Sequence, residues 1–195
     1  MRAFKPFVAL IFLAVSSLLV PSCASIMKPV TVVPCFNPRG GCADAVAGEI
    51  DKARSDVFIQ AYSLTSKPIA DAVVKAKEAG LNVEILLDRS YGYAQNSASY
   101  FAQLKGIPTY MDAKHTVAHN NIIIIDGETV ITGSFTFTSE AEEKNAENLV
   151  IINSPRLAGS YLENWNLHKS HSEEFKQGEL RKGESRKREK KKKNP

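Results

Sequence analysis

The apolar positions of this chain change period along its length. "PVTVVP" at 29–34 is a short β-branched run between prolines and predicts a strand at a sheet edge, where a missing N–H is tolerated. Ala43, Val46, Ala47, Ile50 and Ala53 then recur at helical spacing, with Asp44 and Glu49 among them, and predict a helix over 43–54. "DVFIQAYS" at 56–63 predicts a strand. Ile69, Ala72, Val73 and Ala76 form the face of a second helix that Gly80 ends. "NVEILLD" at 82–88 predicts a strand, residues 95–105 a helix, and "IPTYMD" at 107–112 a short strand.

The second half has a different rhythm. "NIIIID" at 121–126 and "TVITGS" at 129–134 are β-rich runs separated by Asp126-Gly127-Glu128, which signals a hairpin. "NLVIIN" at 148–153 is another strand, and Pro155 opens a last helix through Trp165 with Leu157, Tyr161 and Leu162 as its apolar members. Strands alternating with helices early, then hairpin strands late, predict an α/β fold: a mixed β-sheet flanked by helices in a single domain. No internal repeat is visible.

Composition bounds this picture. At 195 residues, 44% apolar and 24% charged, the chain reads as one globular domain with a sizeable core. The net charge of +4 is unevenly spread: residues 176–195 carry +7, Arg2 and Lys5 add two, and residues 25–175 therefore net −5. Attraction to polyanions would come from the basic tail, residues 173–195, which is too charged to fold alone. Arg2 and Lys5 precede the apolar run "FVALIFLAVSSLLV" and then "PSCAS", the pattern of a secretory signal over residues 1–24. Ser22-Cys23-Ala24 resembles a cleavage site, whereas "LVPSC" resembles a bacterial lipobox that would lipidate Cys23. Either ending predicts export, to the periplasm or beyond, and leaves 25–172 as the folded domain. Cys35 and Cys42 bracket "CFNPRGGC", and in an oxidising compartment a disulfide is expected there, with two free thiols as the alternative. Zinc is not expected at these cysteines, because no other Cys or His reads as standing at ligand spacing.

The candidate chemistry sits around the isoleucines. Strand side chains alternate, so His119 and Asn121 share a face with Ile123 and Ile125, while Ile122 and Ile124 fill the other. A strand returning antiparallel would bring Ser134 and Thr136 back toward His119 and Asn121. Taken singly, each residue has an ordinary explanation. A strand-end histidine is usually structural, Asp before Gly is hairpin chemistry, and His115 caps a loop as readily as it lines a groove.

Taken together, the spacing H-x-N-x4-D-x6-G-S resembles the phospholipase D superfamily motif H-x-K-x4-D-x6-G-S/T at every fixed position except one. The continuation "SFTFTSEAEEKNAENLVII" places Glu147 where that family has an acidic residue, and "IQAYSLTSKPIADAVVKAKEAGLNVEILLD" resembles its short, single-motif bacterial endonucleases. The resemblance covers roughly residues 30–170. It implies hydrolysis of a phosphodiester without metal or cofactor. The motif histidine attacks phosphorus and forms a phosphohistidine, and a second motif histidine protonates the leaving oxygen. His119, Asn121 and Asp126 become the catalytic candidates; Ser134, Thr136 and Glu147 become the phosphate-binding ones. A carboxylate that fixes the histidine tautomer would be Asp126 or Glu147. One motif copy per chain implies a homodimer with a shared site.

The departures are Asn121 for the motif lysine and Thr136 for an asparagine. The first removes one positive charge per chain, with Lys114 or Lys144 as candidates to replace it. Two readings of different kinds follow: a phosphodiesterase, or an impaired family member that binds phosphodiesters without cutting them. Nucleic acid is the first expected partner of the basic tail, and an anionic membrane surface the alternative.

Overall fold

The elements run β1 (Thr31–Asn37), α1 (Cys42–Ile50), β2 (Asp56–Ala61), α2 (Lys67–Glu78), β3 (Asn82–Asp88), β4 (Thr109–Asp112), β5 (Ile122–Ile125), β6 (Thr129–Gly133), α3 (Ser139–Glu143), β7 (Glu147–Asn153), α4 (Pro155–Ser170) and β8 (Glu173–Glu174). They come from a computed structural model that describes residues 29–90 and 106–175. The predicted helix over 95–105, the leader and most of the basic tail lie outside the described residues.

The strands form one mixed sheet in the order β1-β7-β6-β5-β2-β3-β4-β8. β2, β3 and β4 are parallel neighbours, and β2 to β3 crosses over through α2. β5, β6 and β7 make an antiparallel meander joined to β2 through β5. The α/β expectation with a mixed sheet therefore holds, and β1 is indeed an edge strand.

The isoleucine run explains itself in this sheet. Ile123 and Ile125 join the core under α1 and α2, with Val46, Ile50, Ile69 and Val73. Ile122 and Ile124 point to the other face, against Leu86, Trp165 and Ala158. A sheet covered on both faces buries every side chain of a central strand, so alternation in polarity disappears. All four isoleucines are buried, each removing side-chain area worth roughly 1.5–3 kcal/mol from water.

Helix α4 runs past its predicted end. The buried apolar positions stop at Trp165, whose ring lies 5.0 Å from Phe58 and whose Nε1–H donates to the Ile59 carbonyl at 3.2 Å, and Leu167 beyond it is exposed. The final turn is held by polar contacts instead. Lys169 pairs with Glu84 and sits 4.7 Å over the Tyr110 ring. The described chain then adds β8 (Glu173–Glu174), which pairs with β4 just beyond the expected domain limit at 172.

The Cys35–Cys42 disulfide forms, linking the end region of β1 to the first residue of α1. Glu142 secures the loop it closes, accepting the N–H groups of Gly41 and Ala43 and the Asn37 side-chain amide, all at 2.9–3.1 Å.

Candidate active site

Strand directions decide which residues can meet. β2, β3 and β4 end at the same end of the sheet where β5 begins, β6 ends and β7 begins. Ligand sites of α/β sheets form at this carboxyl end of the parallel strands. Here it collects Tyr62 after β2, His119 and Asn121 before β5, Ser134 after β6, and Glu147 at the start of β7.

These residues form one linked set. Asn121 is 4% exposed; its side-chain oxygen accepts the Tyr62 N–H and its amide donates to the Ser134 carbonyl, both at 3.5 Å. The Ser134 hydroxyl donates to Glu147 Oε2 at 2.5 Å and accepts the Asn148 N–H at 3.1 Å. Glu147 Oε1 accepts the Asn145 amide at 3.3 Å. His119 is exposed and its imidazole stacks on Tyr62, ring centroids 4.7 Å apart and planes 23° from parallel. The result is an accessible imidazole stacked on one face, at the same sheet end as a hydroxyl oriented by a carboxylate.

Gly133 has a steric reason. A Cβ built there would lie 2.2 Å from the Asn148 carbonyl oxygen and 2.6 Å from Leu149 Cα. Only glycine lets β6 approach β7 closely enough for Ser134 to reach Glu147 and Asn148.

Asp126 requires a correction. Expected as a catalytic group, it lies at the opposite end of β5 from His119, across four strand residues that span about 13 Å. It occupies the hairpin turn with Gly127, both at positive φ (53° and 61°), and the Glu128 N–H closes that turn on the Ile125 carbonyl. Its carboxylate accepts the backbone N–H groups of Arg54, Ser55 and Asp56 and the Ser55 hydroxyl. Burial pushes its pKa up, but hydrogen bonds from the Asp56, Ser55 and Arg54 amides and the Ser55 hydroxyl overcome that and hold it below the ordinary value. Asp126 fastens the β2 entry to the β5–β6 turn. Of the two expected tautomer-fixing carboxylates, only Glu147 is at the right end, and its hydrogen bonds go to Ser134 and Asn145. Thr136 turns toward the next helix, its hydroxyl 3.4 Å from that of Thr138, which caps α3 through the Ala141 N–H.

His115 neither caps a loop alone nor joins His119. Its Nδ1 lies 2.8 Å from Oδ2 of the fully buried Asp112, which also receives His168 Nδ1 at 2.9 Å and His171 Nε2 at 3.4 Å. Burial raises the Asp112 pKa, but hydrogen bonds from His168, His115 and the Lys114 N–H hold the carboxyl well below the usual carboxylate range. This cluster contradicts the expectation that no histidines stand at ligand spacing: the sequence holds both Asp112-x-x-His115 and His168-x-x-His171.

Comparisons with known proteins converge. A family model described as "Cardiolipin synthase, PLD-like domain" matches residues 46–168. A phospholipase D of Rickettsia conorii (strain ATCC VR-613 / Malish 7) is 43% identical over 134 residues, covering 69% of this chain and 67% of that protein. A mitochondrial cardiolipin hydrolase of Chlamydomonas reinhardtii is 26% identical over 156 residues, covering 70% of each. Among solved structures, the phospholipase D family member Nuc from Salmonella typhimurium superposes with a TM-score of 0.73 at 35% identity, over 76% of this chain and 99% of that one.

Proposed function

Because this chain belongs to the phospholipase D superfamily, we propose that it is a phosphodiester hydrolase whose nucleophile is His119. The observation that carries this is the exposed imidazole, stacked on Tyr62 at the sheet end that also holds Ser134 and Glu147. Neutral His119 attacks phosphorus, a P–N bond forms, and the leaving oxygen takes its proton from a second imidazole. That imidazole, now neutral, deprotonates water; the hydroxide attacks phosphorus and the P–N bond breaks. Ser134 faces the phosphoryl oxygens with its hydroxyl, and Glu147 positions that hydroxyl. A carboxylate beside a phosphate would repel it, so Glu147 acts through Ser134.

These 195 residues contain one copy of the motif, so the second imidazole is assigned to a second chain about a two-fold axis. The exposed apolar side chains of β1 support such pairing: Val32 and Phe36 face solvent, and Phe36 pairs with Asn148 at the site end of the sheet. Asn121 is a strut between β2 and β6 and supplies no charge. Lys114 and Lys144, both exposed, are the nearest candidates in sequence to neutralise the phosphoryl group.

Nucleic acid is the substrate class we favour. The similarity to Nuc supports it, and the +7 carried by residues 176–195 suits a polyanion. Cleavage of a phospholipid head group is the second reading, favoured by the name of the Rickettsia relatives. A binder that no longer cuts is the third, favoured by Asn121. The leader pattern and the disulfide support action outside the cytoplasm.

One assay separates these readings. The chain is incubated in EDTA with single- and double-stranded DNA, RNA, a chromogenic phosphodiester and phosphatidylcholine, beside His119→Ala and Asn121→Lys. Turnover that disappears in His119→Ala supports the hydrolase, and the cleaved substrate names its class. A silent wild type that Asn121→Lys awakens supports the binder. Turnover indifferent to His119→Ala rejects the mechanism. A monomer by sedimentation that is fully active rejects the shared site.

A further inference from the structure

Three of the four histidines of this chain gather around Asp112 at the end of β4, three strands along the sheet from β5. Asp112 ends β4, and His115 follows three residues later. His168 in the last turn of α4 and His171 at its C-cap stand three apart, a spacing that puts both on one side of the helix. The helix end that carries them is fixed to the sheet by Lys169 on Glu84.

The hydrogen-bond capacity of Asp112 does not match its surroundings. An ionised carboxylate offers about four lone-pair sites, two per oxygen. Oδ1 uses two on the N–H groups of Lys114 (3.0 Å) and His115 (3.2 Å). Oδ2 then faces three imidazole nitrogens, at 2.8, 2.9 and 3.4 Å, with two sites left. As a purely proton-mediated cluster, one contact is surplus. Around a cation there is no surplus, because all three nitrogens and Oδ2 present lone pairs to it.

We propose that Asp112, His115, His168 and His171 bind one Zn²⁺ in a closed tetrahedral site of three nitrogens and one oxygen. The four ligand atoms lie within 4.8 Å of one another, and a zinc tetrahedron with bonds of 2.0–2.1 Å has edges of about 3.4 Å. Ångström-scale adjustments of side chains therefore close the site. Imidazole with one carboxylate is a donor set zinc accepts. The two backbone N–H groups on Oδ1 orient the carboxylate as an outer shell does. Asp112 is buried and His168 and His171 are partly buried, while the His115 side chain is 43% exposed and gives the ion its path in.

Four protein ligands leave no open position, so the ion does not enter the phosphoryl step. It fastens α4 to the end of β4 and to the segment that carries His119 four residues beyond His115. The Ala118 N–H, bound to Asp88 at 2.6 Å, is another tether of that segment.

The test uses the full chain without a histidine tag, stripped with chelator and titrated with Zn²⁺, with Co²⁺ as spectroscopic probe. One equivalent of Zn²⁺ should bind, raise the thermal midpoint, and give with Co²⁺ the intense visible bands of tetrahedral coordination. His168→Gln/His171→Gln, which changes only the rim at the end of α4, should weaken binding more than about 100-fold while keeping the wild-type circular dichroism. His119→Ala should bind Zn²⁺ like wild type, which separates this site from the hydrolase reading. No saturable equivalent in wild type, equal binding in the double variant, or loss of binding in His119→Ala would each overturn the proposal.

Discussion

The two ends of strand β5 carry the same motif and do opposite things. At the closing end, Asp126 accepts three backbone N–H groups and a hydroxyl, and an Arg54 guanidinium lies 3.5 Å away. Nothing there is left to react. At the opening end, His119 keeps an exposed imidazole, and the polar groups at that sheet end, buried Asn121 and the more exposed Ser134 and Glu147, hydrogen-bond in turn. A satisfied carboxylate stiffens the frame, and an accessible imidazole has a proton and a lone pair to use. The difference teaches that one motif spacing can join a structural residue to the proposed nucleophile through four buried isoleucines.

Substitutions at the two ends should therefore separate activity from stability. The largest effect is His119→Ala: turnover should fall at least about 10³-fold, with the unfolding midpoint in urea close to wild type, because an exposed side chain is removed. Asn121→Lys comes next. It restores one charge where the phosphoryl group would sit, and kcat should rise by about 10²–10³, the scale of one preorganised electrostatic contact. The loss of the Asn121 strut should appear separately as a lower Tm.

Gly133→Ala tests the frame on the active side. Its Cβ meets the Asn148 carbonyl at 2.2 Å, so β6 and β7 must part, at a cost of about 1–3 kcal/mol in urea unfolding. Activity should fall too, because Ser134 would leave Glu147. Asp126→Asn tests the closing end, with a cost of about 1–2 kcal/mol at pH 7 and nearly wild-type kcat. The sign with pH follows from its lowered pKa. The stability contributed by the ionised form is complete above the unfolded value of about 3.9 and is lost as pH falls through the lower folded value. Wild type and Asp126→Asn should accordingly converge in stability below about pH 4.

Much of this was legible in the sequence. The isoleucine run, the Asp126-Gly127 turn and the α2 face are local patterns, and local geometry carried them into the fold. The end of α4 was missed because its last turn is held by Lys169 on Glu84 and Tyr110, and apolar periodicity does not register polar anchors. The expectation of a catalytic Asp126 fails because motif spacing records only order along the chain; the four residues of β5 place it at the far end of the sheet. The histidine cluster was missed for a different reason. Asp112-x-x-His115 and His168-x-x-His171 are each ordinary, and only the pairing of β4 with β8 and the return of α4 bring them together.

The most direct test is to trap the covalent intermediate. A chromogenic phosphodiester is mixed with the chain, quenched in alkaline denaturant within the first turnover, and the digested protein is weighed by mass spectrometry. The peptide containing His119 should carry the phosphoryl adduct, and His119→Ala should show none. Turnover that proceeds with no adduct, or an adduct on another residue, would contradict the assignment of His119 as the nucleophile.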